Sequence, residues 1–465
     1  MKPGNLLLTT VLPALLILAA AGCGRDTGTL KPAPAVTDPV VFNDDFGSKV
    51  DFQAFMGSYL YAVTIDAQEK HDGVASLKVT VPPPGQYAGG AFTTGVLRDL
   101  SGYNALTFWA KASKSSTLNV AGLGNDNTGT SKYTAQWNNI PLTTEWTYYV
   151  IPIPLPEKLA LEGGLFFFAE AAEGAEGHTI WFDQVIFADV ASISNPRPLM
   201  ESRTSSTFVG ATVNATGTQT TFDVGGTDQI IEHMPGYLTF ASSDDTVATI
   251  DRGVIRAVGA GSAKITAALG TTAVAGELTL NVSPAPTVAA PVPNDPPADV
   301  ISLFSNVYNN ITVDSWSADW PDMADVTDFR IAGDDIKAYT NLVYAGILFE
   351  THLVDATQMT HFNIDVWVPE GVTFFRVKLV DFGEDGLYGG APDGERELTF
   401  TEATDPAIVP GSWARLDIPL ENFMGGPMGL FARAHLAQLI ISGAGITAFV
   451  DNIYFHKVTT GAQSR

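Results

Sequence analysis

One cysteine, Cys23, stands in 465 residues. A lone thiol excludes internal disulfides and cysteine-built metal centres. Positive charge is scarce as well: 25 Lys and Arg face 50 Asp and Glu, for a formal net charge of -25. A polyanion is repelled by such a chain at long range, which sets aside DNA, RNA and anionic lipid headgroups as partners. No amphipathic helix of useful length interrupts the body of the chain. Catalytic signatures are missing too: there is no GxSxG, no P-loop, no Rossmann glycine pattern after a strand and no HExxH, and the seven histidines are scattered. These absences point to a binding protein, not an enzyme. A glycosidase needs two opposed carboxylates, and among 50 acids a hidden pair remains an alternative.

What is present begins with the N-terminus. Lys2 is the only charge ahead of the apolar run Leu6 to Ala21, which ends in Ala20, Ala21, Gly22 and Cys23. The run is shorter than the roughly 20 residues a membrane span requires. It resembles a bacterial lipoprotein signal, with Ala20 where the family's pattern has Leu; an ordinary cleaved signal with an incidental cysteine is the alternative. The resemblance implies a lipoprotein signal over residues 1–23 that is cleaved ahead of Cys23, lipidation of Cys23 and contact with a membrane through that anchor alone. Gly24 in place of Asp after the cysteine implies sorting to the outer membrane, with exposure at the cell surface.

Residues 24–38 are polar and Pro-rich and read as a flexible tether. From Val40 to about Val190, short β-branched and aromatic runs such as ASLKVTV (Ala75 to Val81) and TIWFDQVIF (Thr179 to Phe187) alternate with Gly, Pro, Asn and Asp clusters, the rhythm of a β-sandwich. The next region is smaller and rich in Thr, Val, Ala and Gly. Its segments VATID and GVIRA predict two short strands about a turn at Asp251 to Gly253, with Gly259 to Gly261 supplying positive φ ahead of another strand. This stretch resembles the group 2 bacterial Ig-like domain, with Phe240 where the family has Trp. Residues 284–298 hold six prolines and predict a stiff, extended spacer that separates domains.

Self-comparison shows a repeat. Leu106 to Trp109 matches Ile364 to Trp367, LTTEWTYYVIPI matches VPGSWARLDIPL, and GHTIWFDQVIF matches GITAFVDNIYF, with Trp146, Pro152 and Asp183 answering to Trp413, Pro419 and Asp451. The expected fold is all-β: two β-sandwich jelly rolls (39–191 and 299–458) flanking a small Ig-like β-sandwich (197–283). Both outer blocks resemble galactose-binding-like carbohydrate-binding modules. Block one carries DDF, HDGVASLKV, YNALTFWAK and WFDQVIF. Block three, through ISLFSNVYNN, DSWSADW, HFNIDVWVP, KLVDFG and FVDNIYF, resembles the accessory module of laminarinase-type β-glucanases.

Sugars stack their C–H faces on aromatic rings while polar side chains engage the hydroxyls. Trp316 and Trp320 in DSWSADWPD, Tyr388 in GLYGGAPDG, Tyr87 in PPPGQYAGG and Trp137 in TAQWNN occupy polar loop settings and are the ligand-binding candidates; packing is the competing role for Trp316 and Trp320. Trp109, Trp146, Trp181, Trp367 and Trp413 lie in apolar runs and are expected in the core. The jelly-roll resemblance implies a structural calcium joining the first and last strands, at Asp45, Asp72 and Asp183 in block one and at Asp451, with Asn306, in block three; turn formation or hydrogen bonding is the alternative for each. DFGEDGLYGGAP resembles an EF-hand loop but has Gly383 at the third position and Pro392 at the twelfth, where Glu is required. The expected function is non-catalytic binding of polysaccharide, a β-glucan first, by a monomeric lipid-anchored surface protein. An adhesive or structural surface protein and an unrecognised glycoside hydrolase are the alternatives.

Overall fold

In the strand His178–Ala188, Ile180, Phe182, Val185 and Phe187 are buried while Thr179 and Trp181 are half-exposed. That period of two is what a strand supplies and a helix does not. A bulge at Gln184, in left-handed backbone with φ 46°, resets the phase between Phe182 and Val185. The computed structural model describes residues 36–390, 393–424 and 432–458, leaving Cys23 and most of the tether outside. The described chain is all-β, two jelly-roll sandwiches flanking a smaller one, and among its residues no helix is long and apolar enough to cross a membrane.

In the first sandwich a seven-stranded sheet, centred on Ala105–Ala112 and His178–Ala188, faces an eight-stranded sheet. Phe42, Phe92, Phe108, Phe166, Phe168 and Phe182 fill the space between them, each stabilising the fold by roughly 1.5–3 kcal/mol through burial. The third sandwich is built differently at one point. Its long strands Asp334–Leu348 and Leu436–His456 belong to both layers. Each bends from one layer to the other where their shared ladder shifts register, near Asn341 (φ 53°) and Gly445 (φ 69°).

The ladders test the repeat. Asp183 pairs with Trp109 and Pro152 with Ala105; Asp451 pairs with Asp365 and Pro419 with His361. The Pro and Asp anchors therefore correspond, and both Asp residues accept the amide of the next residue, Gln184 or Asn452, each in left-handed backbone. The match of Leu106 to Trp109 with Ile364 to Trp367 slips by two: Trp109 stands where Asp365 does, while Trp367 answers to Lys111. A slip of two keeps every side chain on its own face.

The middle sandwich is a five-stranded sheet, in which Arg203–Phe208 runs parallel to Leu278–Ser283, packed on a three-stranded sheet. The turn between Ala248–Asp251 and Val254–Ala257 has positive φ at Arg252 (48°) and Gly253 (84°), the geometry a two-residue I′ hairpin demands. One expectation changes here. The hairpin Gln219–Val224 and Thr227–His233, which the sequence placed in the middle domain, extends the eight-stranded sheet of the first sandwich through Glu232↔Gln136 and His233↔Ala135. Its alternation buries Phe222 and Ile231 in the first core, and the Gln229 amide donates to the carbonyl of Val150 (2.9 Å). The chain thus crosses between the two sandwiches three times.

The Pro-rich segment does not act as a free spacer. It lies against the third sandwich: Trp413 Nε1 donates to the Val288 carbonyl (2.8 Å), Asn452 Nδ2 to that of Pro291 (3.3 Å) and the Tyr308 hydroxyl to that of Asp295 (3.0 Å). Extended proline-rich backbone has no internal hydrogen bonds, so its carbonyls are free to accept these donors. Phe208 of the middle sandwich packs beside this strap on Phe329 and Phe449.

Candidate functional site

The outer face of the second layer of the third sandwich is built by Asp334–Leu348, Leu436–His456, Phe375–Asp381 and Gly394–Phe400. In FRVKL, Phe375, Val377 and Leu379 are buried, so Arg376 and Lys378 face outward. The ladders set two rows across this face, Tyr344–Ser442–Arg376–Thr399 and Gly346–Ile440–Lys378–Glu397. Above them the loop DSWSADWPD is tied down by Ala318 N–H to the Gly346 carbonyl and Ala324 N–H to the Tyr344 carbonyl, both 2.9 Å. Two hydrogen bonds from Thr351 anchor its start and hold the Asp314 carboxyl below the usual carboxylate range.

That anchoring lays the Trp320 indole over Gly346, where a Cβ would stand 2.5 Å from the ring. Only glycine fits beneath it. The Tyr344 ring lies 6.2 Å from Trp320 and its hydroxyl donates to the Pro321 carbonyl. The result is a cleft of ≈ 620 Å³ lined by Trp320, Tyr344, Arg376, Lys378, Glu397 and Ser442, among others. Arg376 is 3.7 Å from Glu397, beyond hydrogen-bond reach, and Lys378 is 3.2 Å from Glu395. Arg376 Nε and Ser442 Oγ are buried without a hydrogen-bond partner. Two unmet polar atoms beside an aromatic surface suit a ligand that offers hydroxyls and C–H faces together.

No family model and no curated protein matches the chain. Among solved structures, a family 30 carbohydrate-binding module of the cellulosomal cellulase Cel9D-Cel44B of Clostridium thermocellum matches at 17% identity and TM-score 0.24, over 34% of this chain and 95% of that one. A family 11 module from Clostridium thermocellum, solved in complex with a β-1,3-1,4-mixed-linked tetrasaccharide, matches at 15% and 0.24 over 34% and 95%. A β-1,2-glucanase from Parabacteroides distasonis matches at 11% and 0.24 over 54% of this chain and 40% of its own. Likenesses this distant decide neither ligand nor reaction, and the fold rests on the ladders given above.

The five ligand candidates scatter. Trp320 is in the cleft. Trp316 turns the other way, against Phe304 (5.3 Å between rings) and under the Lys337 ammonium (4.6 Å), at the edge of the third core. Tyr388 is 75% exposed and touches Phe382, which packs with Val380 beyond the far end of the cleft face. In the first sandwich Tyr87 donates to the Met56 carbonyl, and Trp137 packs against the first core near Tyr149 while lining a cavity of ≈ 390 Å³ with Asn138, Gln219 and Glu232.

The tryptophans expected in the core need correcting. Trp367 alone of the five is buried, at 6% exposure. Trp109, Trp146 and Trp181 stand half-buried on the outside of the first sheet, under the loop 66–73: His71 stacks on Trp109 at 3.8 Å, Glu69 accepts from Trp146 Nε1 and Asp66 from Trp181 Nε1. Trp413 is likewise outside its sheet and covered by the strap. The signal was present: in LTFWAKA the apolar Leu106, Phe108 and Ala110 share one face, and Trp109 shares the other with Thr107 and Lys111. The same alternation would have marked Arg376 and Lys378, two outward cations in an acidic chain.

The calcium candidates of block one do not converge. Asp45 is exposed and accepts the Phe46 amide, whereas Asp183 Oδ2 accepts the amides of His71 and Asp72 and its Oδ1 that of Gln184. It is Asp44 that faces the same turn, accepting from Val74 and Ala75, as Asn306 accepts from Asp335 in block three. Carboxylates surrounded by N–H donors do not suit a cation, and no calcium chemistry is derived there. In block three Asp451 Oδ2 and Asp365 Oδ1 are buried without protein partners. Burial pushes Asp365 up to about 6 and raises Asp451 too, with Asp334 and Asp365 adding repulsion to the latter. Among the described residues no group of three or more His, Cys, Asp or Glu side chains is spaced as a metal-ligand set.

Proposed function

We propose that the chain is a non-catalytic surface protein that binds a neutral polysaccharide, with β-glucan as the first candidate, in the cleft of the third sandwich. The observation that carries this reading is the Trp320 indole fixed over Gly346 beside two buried polar atoms that make no hydrogen bond, Arg376 Nε and Ser442 Oγ. Among the described residues Glu397 is the one carboxylate lining the cleft, and hydrolysis of a glycosidic bond uses two facing acids. Anchoring is assigned to a lipid on Cys23, with the monomer outward on the outer membrane. A structural calcium, if held, belongs to Asp365 and Asp451 and not to block one.

Affinity electrophoresis of the whole chain through laminarin and mixed-linkage β-glucan tests the reading. Trp320→Ala is expected to weaken the affinity of the cleft at least tenfold, about 1.4 kcal/mol, and so to reduce retardation, while Trp316→Ala lowers stability and leaves affinity in place. The adhesive alternative draws on the loop carrying Met56, Leu60 and Tyr61, at 99%, 72% and 76% exposure, a surface suited to protein contact. Unaltered mobility in every glycan favours it, and release of reducing ends would favour a hydrolase.

A further inference from the structure

We propose that the first sandwich carries a second glycan-binding groove, assembled jointly with the hairpin Gln219–Val224 and Thr227–His233, which grips hydroxyls through amides and the carboxylates of Glu232 and Asp228, with the half-buried indole of Trp137 in its wall. The inference rests on the binding reading above and assigns it a second site. Two cavities of ≈ 480 and ≈ 390 Å³ adjoin along the extended sheet and share Gln219 and Glu232, the larger walled also by Ala215 to Thr218 of the crossing segment. The groove exists because the hairpin adds to the sheet edge: Glu232 lies opposite Gln136 in the ladder, which brings side chains from two separate stretches of chain onto one face.

The lining defines the ligand class. Gln136 Nε2 donates to Asn138 Oδ1 (3.0 Å), which fixes both amides and leaves the Gln136 carbonyl as acceptor and the Asn138 amide as donor toward the groove. Gln219 adds another donor and acceptor, and Glu232 an exposed carboxylate. Paired donors and acceptors in one side chain match vicinal hydroxyls. No Lys or Arg lines either cavity, and the one histidine, His233, is buried, its pKa pushed down to about 4 by that burial. Arg197, beside the groove, is already paired with the lining Asp228 (2.5 Å); phosphate, sulfate and uronate ligands therefore find no free counter-charge, and a neutral polyhydroxyl chain does not need one. Met234 and Ile230, 37% and 50% exposed, supply apolar rims for its C–H faces.

Calorimetric titration of the whole chain with oligosaccharides of laminarin and of mixed-linkage β-glucan separates the two sites. Four proteins are compared: the parent, Trp320→Ala, the double variant Gln136→Ala with Glu232→Ala, and the combination, each checked for unchanged melting. The parent is expected to bind two equivalents, each single-site protein one, and the combination none. The proposal is overturned if Trp320→Ala abolishes all binding, if the groove variant leaves the number of sites unchanged, or if the parent binds neither glucan. Loss of binding in the groove variant alone, with Trp320→Ala at parent level, supports the groove and removes the cleft reading instead.

Discussion

Replacing Asp295 with Ala should free the strap from the third sandwich. Asp295 Oδ2 accepts from the Tyr454 hydroxyl (2.9 Å) and from Arg415 Nη2 (3.2 Å), and its Oδ1 lies 3.3 Å from Nδ1 of the buried His456. Hydrogen bonds to a charged group contribute about 1.5–3 kcal/mol each. Arg415 and Asp295 keep 36% and 21% of their side-chain surface, so that pair is discounted toward the value of a surface ion pair. Tyr454 also stays bonded to Arg415, and His456 to Asp417. The net loss is then about 2–4 kcal/mol, which for a unit of this size lowers the melting transition of the third sandwich by roughly 4–16 °C. Urea unfolding followed by tryptophan fluorescence reads the loss, since Trp413 is bonded to the strap. Limited proteolysis reads the cause: cleavage within residues 284–298 should accelerate in Asp295→Ala and only partly in Asp295→Asn, which retains an acceptor. A change in stability below about 0.5 kcal/mol together with unchanged cleavage would refute the assignment of Asp295 as the clasp.

Three further perturbations probe other parts. Gly346→Ala places a methyl within 2.5 Å of the Trp320 indole and should cost the cleft about as much glucan affinity as Trp320→Ala; parent-level affinity by calorimetry would show that the indole is not part of the platform. Burial raises Glu170 to about 7, well above its ordinary 4.5. Below pH 4.5 it is protonated folded and unfolded alike, and between pH 4.5 and 7 the fold loses stability because ionisation is easier once unfolded. Glu170→Gln should accordingly melt higher than the parent at pH 8, by up to about 3 kcal/mol, and equally at pH 4; the same gap at both pH values would count against it. If calcium is held by Asp365 and Asp451, millimolar calcium raises the melting temperature of the parent but not of Asp451→Asn, and a parent indifferent to both calcium and chelator removes the ion.

Alternation and repetition made the sandwiches legible, because period two and the shared Trp, Pro and Asp anchors are local features of the sequence. Partnership was less legible. The hairpin after Gln219 has the same alternating pattern whichever sandwich it joins, and only the edge offered by Ala135–Leu142 decides that it joins the first. Proline content specifies an extended backbone without saying whether its carbonyls meet water or Trp413 and Asn452. Within the site, Trp320 could be read from its polar loop, but its equally placed neighbour Trp316 could not be told apart, since four residues of irregular backbone send the two rings to opposite sides of the sheet. Tyr344, Arg376 and Ser442 occupy outward positions of alternating strands, so period two marks them although they lie in no polar loop.

The two jelly rolls, alike in ladder order, differ in what covers the outer side of their first sheet, and that difference bears on function. In the third sandwich Trp367, Trp413 and Phe449 are sealed by Phe208 of the middle sandwich and by the strap. In the first, the corresponding positions Lys111, Trp146 and Trp181 are held by a loop of the same module through Glu69 and Asp66. The covered face in block three is thus spent on joining domains, as is the sheet edge of block one that receives the hairpin. With one joint made by a threefold crossing of the chain and the other by a clasped strap, two binding sites would not gain avidity as modules on a loose linker do, where effective concentration falls as the linker lengthens. Their gain would come from preorganisation, which lowers the entropy lost on binding a stiff polymer and makes the spacing of ligand units along that polymer the quantity selected.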